Sequence, residues 1–397
     1  MDSQQASARR AGARLVAVRQ ARRAALAALD RAWASGDAVL PLDPQIDATR
    51  CHQIAGALGA AEIVEDGHTR PLPHPVPVPA GTALVVRTSG TTGTPRAVVL
   101  SHAALRHGVA ASVRRLGCTA ADRWLCVLPL HHVAGLLVVL RARAVGSDPI
   151  LHANFNVDAL AAEQAATHVA LVPTMLHRLL EHGVDVARFR RILLGGAAAP
   201  PGLLDRARDA GAQVTTTYGM TETAGGCVYD GVPLDGVAAA VEPDGRVLLA
   251  GPVLADGYRD GHALRALTTD GWFTTSDTGH WDSGRLVITG RSDDVVVTGG
   301  VNVSATAVAS TLKEHTAVAD AAVIGVDDRE WGQRLVAFVV PADPARPPTV
   351  EQLRTFARAR AEPAGVPREV IVVTALPRTA LGKVDRGALT RMRAVPD

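Results

Sequence analysis

Ala83-Leu-Val-Val-Arg-Thr-Ser-Gly-Thr-Thr-Gly-Thr-Pro95 joins a strand-like run to a loop of small residues. The run up to Arg87 is apolar and rich in valine, which predicts a buried strand. From Thr88 onward the loop has hydroxyls and glycines, which let backbone amides and side-chain donors approach phosphate oxygens. The Walker A pattern G-x-x-x-x-G-K-[ST] does not occur. By composition alone, a flexible linker is the favoured explanation of the loop.

The alternation of strands and helices continues outward from this stretch to Gly219. Strands are predicted at Ala83–Arg87, Trp124–Leu128, His168–Val172, Arg191–Leu194 and Gln213–Thr217. Helices are predicted at Val133–Ala144, Thr174–His182 and Pro201–Ala210, and Ser101 is placed to cap another. This order predicts an α/β fold with largely parallel sheets.

The pattern changes twice towards the C-terminus. Short strands and turns over about 228–290 predict a β-rich subdomain, and a smaller α+β pattern follows. We therefore expect an N-terminal domain over 1–290 and a small mobile lid domain over 291–397. At the other end, the apolar spacing from Leu15 to Trp33 predicts one amphipathic helix that ends at Gly36.

Composition excludes several classes of function. The 397-residue chain has 41 basic and 39 acidic residues, a net charge of +2, so no global field favours a nucleic acid partner. The apolar stretch Leu125–Leu140 contains Pro129, His131 and His132, and we expect no membrane insertion. Four scattered cysteines suit neither a disulfide framework nor a metal pair, which favours the cytoplasm.

Five further segments carry chemistry-bearing residues in order. They are Gly195-Gly-Ala197, Tyr218-Gly-Met-Thr-Glu222, Ser276-Asp277, Gly290-Arg-Ser-Asp293 and Pro377-Arg-Thr-Ala-Leu-Gly-Lys383. Each has a plain alternative when taken alone: a helix-entry turn at Gly195, a helix start capped by Thr221, or solvated charges. Lys383 taken alone would also be a solvated charge, but it and Lys313 are the only lysines in a chain that otherwise uses arginine, which makes its position informative.

Together with the Thr88 loop, these motifs resemble the adenylate-forming superfamily of acyl-CoA synthetases, nonribosomal adenylation domains and luciferases. The resemblance extends from about Ala38 to Leu389. It implies an AMP-forming acid-thiol ligase that uses ATP, Mg²⁺ and coenzyme A. Joining a carboxylate to a phosphate brings two anionic groups together, so such a site must supply cations and oriented donors.

The resemblance implies a role for each matching position. Lys383, Thr221 and Glu222 would be catalytic, with Lys383 bridging the carboxylate and the α-phosphate, Thr221 bonding that phosphate and Glu222 binding magnesium. Asp293 would be the hinge. ATP and AMP would contact Thr88, Ser89, Gly90, Thr91, Thr92, Gly93, Thr94, Gly195, Gly196, Ala197, Tyr218, Gly219, Met220, Thr221, Asp277 and Arg291.

The sequence departs from the superfamily pattern at two places. Arg96-Ala97 stands where Lys-Gly usually follows the proline, so we expect position 97 to need no positive φ. The segment before the phosphate loop is also short, as in some enzymes that resemble the o-succinylbenzoate-CoA ligases of menaquinone biosynthesis. We expect the N-terminal subdomain to lack some of the usual elements.

The acid substrate is predicted from residues that would flank the acyl pocket. His132 is the candidate gate, with a core histidine as the alternative, and Gly219 would also contact the acid. Arg141 follows on the same predicted helix and either faces solvent or, if buried, binds an anionic partner. A second carboxylate on o-succinylbenzoate would provide that partner.

Other functions stay open at this point. The chain could act on another aryl or short acyl acid, or load a free carrier protein instead of CoA. A non-catalytic nucleotide-binding protein on the same scaffold is the distant alternative. The sequence does not give the oligomeric state, and a homodimer is left open.

Overall fold

The computed structural model describes residues 12–87, 96–200, 202–260, 263–291, 294–298, 301–360, 365–379 and 384–394. The described helices are α1 Arg22–Ala34, α2 Ala48–Ala57, α3 His102–Leu116, α4 Val133–Ala144, α5 Val157–Ala162, α6 Pro173–Glu181, α7 Leu203–Asp209, α8 Ala305–Lys313, α9 Val350–Arg358 and α10 Arg386–Ala394.

The described strands are β1 Leu15–Arg19, β2 Ala38–Pro41, β3 Glu62–Glu65, β4 His68–Pro71, β5 Thr82–Arg87, β6 Arg96–Ser101, β7 Trp124–Cys126, β8 Ile150–Leu151, β9 His168–Leu171, β10 Arg191–Leu194, β11 Val214–Met220, β12 Gly225–Tyr229, β13 Val232–Pro233, β14 Ala238–Val241, β15 Arg246–Ala250, β16 Gly257–Asp260, β17 Ala263–Ala266, β18 Trp272–Asp282, β19 Arg285–Arg291, β20 Val295–Thr298, β21 Val301–Ser304, β22 Val318–Asp328, β23 Gly332–Pro341 and β24 Glu369–Val372.

The chain divides into two compact units. The first comprises residues 1–196, 205–239 and 249–273, and the second comprises 197–204, 240–248 and 274–397. The predicted α/β class is confirmed. The boundary expected near residue 290 stays a prediction.

The first unit contains two sheets. An eight-stranded sheet has the order β17-β16-β6-β5-β2-β1-β3-β4, and a seven-stranded sheet has the order β13-β12-β11-β10-β9-β7-β8. The main core packs α1, α3 and α4 against strands of both sheets, with Trp124 fully buried and Leu128 nearly so. A second core covers the other face of the larger sheet with α2. The strands β7, β9, β10 and β11 are parallel neighbours, as the alternating pattern predicts.

The second unit is richer in antiparallel strands. The strands β18 and β19 pair in a four-stranded sheet ordered β14-β15-β18-β19. A five-stranded sheet ordered β21-β20-β23-β22, with β24 beside β23, has α8 and α9 packed on one face. Leu376 and Leu389 pack on its other face. None of the helices in the described ranges is long and apolar enough to cross a membrane.

The N-terminal helix expected from Leu15 to Gly36 is wrong in its first half. Leu15–Arg19 forms the strand β1, which pairs in parallel with β2 and β3, and the helix α1 begins only at Arg22. Because Leu15, Val16, Ala17 and Val18 are all buried, the run is apolar on both faces, and such a run does not distinguish a strand from a helix.

Candidate active site

The predicted phosphate loop connects two paired strands. The strand β5 ends at Arg87 and β6 begins at Arg96, and the two are antiparallel with Arg87 opposite Ala97. Residues 88–94, the predicted nucleotide-binding positions, lie outside the described residues. Ala97 is buried within β6 and is not among the residues of positive φ, as the replacement of glycine there predicted.

The parallel strands β7, β9, β10 and β11 bring their carboxyl ends to one edge of the seven-stranded sheet, which is where ligands bind in open α/β sheets. Gly195 and Gly196 follow β10 at this edge. A Cβ on Gly195 would lie 2.1 Å from Thr217 Oγ1 of β11, so a side chain does not fit there. Ala197 follows and is exposed.

The motif Tyr218–Glu222 occupies the end of β11 at the same edge. The strand leaves its parallel partner after Thr216 and pairs antiparallel with β12, where Gly219 lies opposite Gly226. A Cβ on Gly219 would lie 2.2 Å from the carbonyl oxygen of Gly225. Glycine is therefore required at position 219 by the close approach of two backbones.

Thr221 begins a 3-10 turn, Thr221–Thr223, whose N-cap position is Met220. The alternative that Thr221 caps a helix is therefore wrong. Glu222 is fixed at two points: its carbonyl oxygen accepts from Ala255 N at 2.8 Å, and its Oε1 accepts from the hydroxyl of Tyr258 at 2.9 Å. Tyr258 belongs to β16, which pairs with β6. The sequence analysis did not identify Tyr258, because this contact joins residues 36 positions apart.

The carboxylate of Glu222 fits the role of a magnesium ligand. It is partly exposed, and within the described ranges no basic side chain pairs with it. Tyr258 engages one oxygen and leaves the other available. Mg²⁺ prefers one or two carboxylates together with phosphate oxygens and water, and an anchored carboxylate with a free oxygen suits that preference.

Asp277 and Arg291 lie opposite each other in the second unit. They are paired positions of β18 and β19, and Arg291 Nη1 lies 3.5 Å from Asp277 Oδ1. Asp277 is buried, and its backbone N–H donates to Thr275 Oγ1 at 3.0 Å. The alternative of two independent solvated turn charges is therefore wrong, because Asp277 is a buried residue of a strand.

His132 occupies the N-cap position of α4 and is half-buried, so it is not a core histidine. Its ring contacts that of His131 with centroids 4.4 Å apart. Burial lowers the pKa of His131, Asp43 at 3.8 Å opposes that shift, and Arg22 and Arg87 add to it. His131 is therefore mainly neutral at pH 7.

Arg141 lies near the end of α4 and is buried, so the alternative that it faces solvent is wrong. Its Nε donates to Ser112 Oγ at 2.8 Å and its Nη2 donates to the hydroxyl of Tyr229 at 3.2 Å. The guanidinium also lies 5.6 Å from the ring centroid of Trp124. Sequence reasoning did not find Ser112 or Tyr229, because they lie 29 and 88 positions away.

Cys118, Asp122 and His168 place metal-ligand atoms within 4.8 Å of one another. Both oxygens of Asp122 are already engaged, by Arg190 Nη1 at 2.8 Å and by Thr119 N at 2.6 Å. Burial raises the pKa of Cys118 to about 11, and a thiol must lose its proton to bind a metal. We therefore assign this cluster a structural role.

The two lysines differ in what the structure says about them. Lys313 Nζ lies 2.8 Å from Asp320 Oδ1, so this lysine is part of an ion pair in the second unit. Lys383 and the predicted hinge Asp293 lie outside the described residues. On either side of Lys383, Arg378 and Val384 form an isolated antiparallel bridge, and Asp385 N donates to Pro377 O at 2.8 Å.

Comparison with known proteins identifies two matches to family models along the chain. Residues 4–258 match the family model of AMP-binding enzymes, and residues 307–383 match that of the AMP-binding enzyme C-terminal domain. A protein of Mycobacterium tuberculosis, named as a probable 2-succinylbenzoate-CoA ligase, is 39% identical over 380 residues, which cover 92% of this chain and 94% of that protein.

Two solved structures of o-succinylbenzoate coenzyme A synthetase from Bacillus subtilis share the fold. The complex with the acyl-adenylate intermediate is 27% identical, with a TM-score of 0.83, and the match covers 97% of this chain and 90% of that one. The complex with ATP and a magnesium ion is 26% identical, with a TM-score of 0.82 and coverage of 98% and 91%. The chain belongs to the family of AMP-binding enzymes, within the adenylate-forming superfamily that its motifs resemble.

Proposed function

We propose that the protein is an AMP-forming 2-succinylbenzoate-CoA ligase of menaquinone biosynthesis. The observation that carries this assignment is the 39% identity over 92% of the chain to the M. tuberculosis relative of that name. In the first half-reaction, a carboxylate oxygen of the acid attacks the α-phosphorus of ATP and pyrophosphate leaves. In the second, the sulfur of CoA attacks the acyl carbon and AMP leaves.

The role of Glu222 in this reaction is to hold the magnesium ion that accompanies ATP. The support is its anchored carboxylate with one oxygen free of described partners. Magnesium shields the phosphate charge when the carboxylate approaches. Thr221, the neighbouring residue, bonds the α-phosphate, and the glycine-rich loop of residues 88–94 contributes backbone amides to the phosphates.

The nucleoside is held by groups that suit its polar edges. Asp277 accepts hydrogen bonds from the ribose hydroxyls, and Arg291 orients the Asp277 carboxylate. The contact between these two residues across β18 and β19 supports both roles. The backbone of Gly195, Gly196 and Ala197 lies along the adenine, as does the segment that begins at Tyr218. A strand-end glycine without room for a side chain suits a flat ring.

Lys383 bridges the carboxylate and the α-phosphate during adenylation. The support is the match to the superfamily motif and the near absence of lysine from the chain. Asp293 is the hinge that would let the lid domain rotate before thioester formation. Both roles are proposals from the sequence.

Arg141 binds the second carboxylate of the substrate, and His132 gates the pocket. The support for Arg141 is its burial without a described carboxylate partner, since a buried guanidinium is costly unless an anion or full hydrogen bonding compensates it. A ligase for a monocarboxylic acid has no need of that charge.

We place the enzyme in the cytoplasm, where ATP and CoA are available. All four cysteines are free thiols, which suits a reducing compartment. The oligomeric state stays open, as it does from the sequence alone.

ATP-pyrophosphate exchange over a panel of acids tests the proposed function. We expect saturable exchange with 2-succinylbenzoate at a higher kcat/KM than with benzoate, short fatty acids or malonate. Preference for another acid would leave the adenylating activity and remove the substrate assignment. The absence of exchange with every acid would favour the non-catalytic scaffold. Addition of CoA or of a carrier protein to the same mixture identifies the acceptor.

A further inference from the structure

Three buried polar side chains form a closed triangle of hydrogen bonds inside the first unit. Ser112 of α3, Tyr229 of β12 and Arg141 of α4 are 0%, 1% and 4% exposed. The hydroxyls of Ser112 and Tyr229 are 2.8 Å apart, and Arg141 donates to both. Each corner belongs to a different element, so the triangle fixes the guanidinium relative to the surrounding fold.

The triangle has hydrogen-bond donors for which no described residue is the acceptor. A guanidinium has five N–H donors, and Arg141 uses two of them on the hydroxyls. Only one of the two hydroxyl protons can lie between Ser112 and Tyr229, which leaves the other proton without a described acceptor. In the part of the chain that the structure describes, no carboxylate pairs with Arg141. The triangle therefore presents a positive charge and several donors suited to an anion.

One corner of the triangle, Tyr229, is close to the end of β11, where the predicted substrate-binding residue Gly219 lies. Tyr229 ends the strand β12, whose Gly226 lies opposite Gly219 of the Tyr218–Glu222 motif. A Cβ on Gly226 would lie 3.2 Å from Tyr229 Cε1, and one on Gly225 would lie 2.2 Å from Leu137 Cδ1 of α4. The two glycines therefore bring α4, which starts beside His132, and Tyr229 close to the end of β11.

We propose that Ser112 and Tyr229 are positioning residues that aim the guanidinium of Arg141 at the second carboxylate of the substrate, and so select a dicarboxylic acid. This inference rests on the proposed function. The second carboxylate is remote from the bond that forms, so its contacts are equal in the bound substrate and the transition state. Such contacts change KM and leave kcat nearly constant.

The variants Tyr229→Phe and Ser112→Ala each remove one corner of the triangle with little change in shape. Ser147→Ala is the matched control. It removes a buried hydroxyl just after the end of α4, the helix of Arg141, and the described partner of this hydroxyl is Ala142 O. Pyrophosphate exchange is measured with 2-succinylbenzoate and with two analogues that each lack one carboxylate, 4-oxo-4-phenylbutanoate and 2-propanoylbenzoate. Thermal unfolding of each variant reports whether it folds.

We expect each triangle variant to raise KM for 2-succinylbenzoate about tenfold, since a hydrogen bond to a charged group is lost or weakened. In the triangle variants, kcat and the KM for the analogue that wild type accepts should stay within about twofold of the wild-type values. The Ser147→Ala enzyme should keep all of these constants within about twofold of wild type. The double variant should lose less than the product of the single effects, because both residues orient one group.

Two results would overturn the inference while the proposed function survives. One is an unchanged KM for 2-succinylbenzoate in both folded variants of an enzyme that uses this acid. The other is an equal rise in KM for the dicarboxylic acid and the analogue, which indicates a general packing role. If wild type uses a monocarboxylic acid better than 2-succinylbenzoate, the proposed function fails and the inference with it.

Discussion

Arg141 and Arg259 are two buried arginines of the same unit with opposite surroundings. They are 4% and 3% exposed. Arg259 donates to three carbonyl oxygens, of Leu58 at 2.8 Å, Val76 at 2.9 Å and Pro77 at 3.2 Å. Arg141 meets two hydroxyls and an aromatic ring. Arg259 thus joins separate segments of the chain, whereas three of the five N–H donors of Arg141 have no described hydrogen-bond acceptor, and we propose that a ligand accepts from them.

The comparison teaches that burial alone does not separate a structural cation from a functional one. We propose that the kind of partner separates them: Arg259 donates to backbone carbonyls, whereas Arg141 donates to hydroxyls, which have a proton of their own to donate to a ligand. The two lysines are assigned on different grounds. Lys313 is paired with Asp320, and Lys383 is the one that the superfamily motif assigns to chemistry.

The largest effect is expected from replacement of Lys383, with Lys313 as the lysine for comparison. Lys383→Ala should slow acyl-adenylate formation by about 100- to 1000-fold, because a charge about 4 Å from the reacting phosphate contributes roughly 4 kcal/mol at an effective dielectric of 20. Rapid-quench measurement of each half-reaction checks this, and thioester formation from supplied adenylate should change much less. Lys313→Ala is the control and should keep both rates. Equal losses in the two half-reactions would remove Lys383 from its role.

The comparison of the arginines predicts a double dissociation. Arg141→Ala should raise KM for 2-succinylbenzoate by about 30- to 100-fold, the usual worth of a charged hydrogen-bonded contact. Arg259→Ala should leave that KM unchanged and lower the free energy of unfolding by about 3 kcal/mol, since three carbonyls lose their donor. Steady-state kinetics and urea unfolding measure the two quantities. An unchanged KM in a folded Arg141→Ala enzyme would place this arginine with the structural ones.

A smaller effect is expected at the contact between Tyr258 and Glu222. Tyr258→Phe should weaken the apparent affinity for Mg²⁺ about tenfold, as the loss of an outer-sphere contact to a metal ligand usually does. Titration of activity with Mg²⁺ and of Mn²⁺ binding by electron paramagnetic resonance, both with ATP, measure this. Tyr229→Phe is the matched control and should keep the wild-type metal dependence. Identical metal binding in both variants would show that Tyr258 does not orient Glu222.

The smallest effect concerns pH and the buried histidines. Burial lowers the pKa of His168 although Asp122 opposes the shift, and burial also lowers the pKa of His131. The unfolded value is about 6.5. The unfolded state therefore binds protons more readily than the folded state. The contribution of the two histidines to the free energy of unfolding is fully present above about pH 6.5 and decreases as the pH falls through their folded pKa values. Urea unfolding from pH 7.5 to 5 should show falling stability, and His168→Gln should reduce the slope. A slope unaffected by this change would contradict the assignment.

The parts of the fold that the sequence predicts well have a local cause. The helix α4 has the predicted bounds, and Ser101 caps α3 with its hydroxyl 3.2 Å from Ala104 N. The strand β1 was not predicted, because it is buried on both faces and its apolar spacing coincides with that of a helix. Local pattern does not contain the sheet position that decides between the two.

The candidate site divides in the same way. Gly219, Thr221 and Glu222 could be named from one contiguous motif. The partners that orient site residues could not: Tyr258 reaches Glu222 across 36 positions, and Ser112 and Tyr229 come from elements distant in sequence from Arg141. Contacts of this kind depend on tertiary packing, and no spacing rule within a single sequence predicts them.

The complete reaction tests the central claim most directly. Purified protein is mixed with ATP, Mg²⁺, CoA and 2-succinylbenzoate, and the nucleotide and thioester products are quantified by liquid chromatography with mass detection. We predict equal amounts of AMP and the succinylbenzoyl-CoA thioester, and no ADP. Formation of ADP would contradict the account. The absence of thioester from a well-folded enzyme that binds ATP and CoA would contradict it as well.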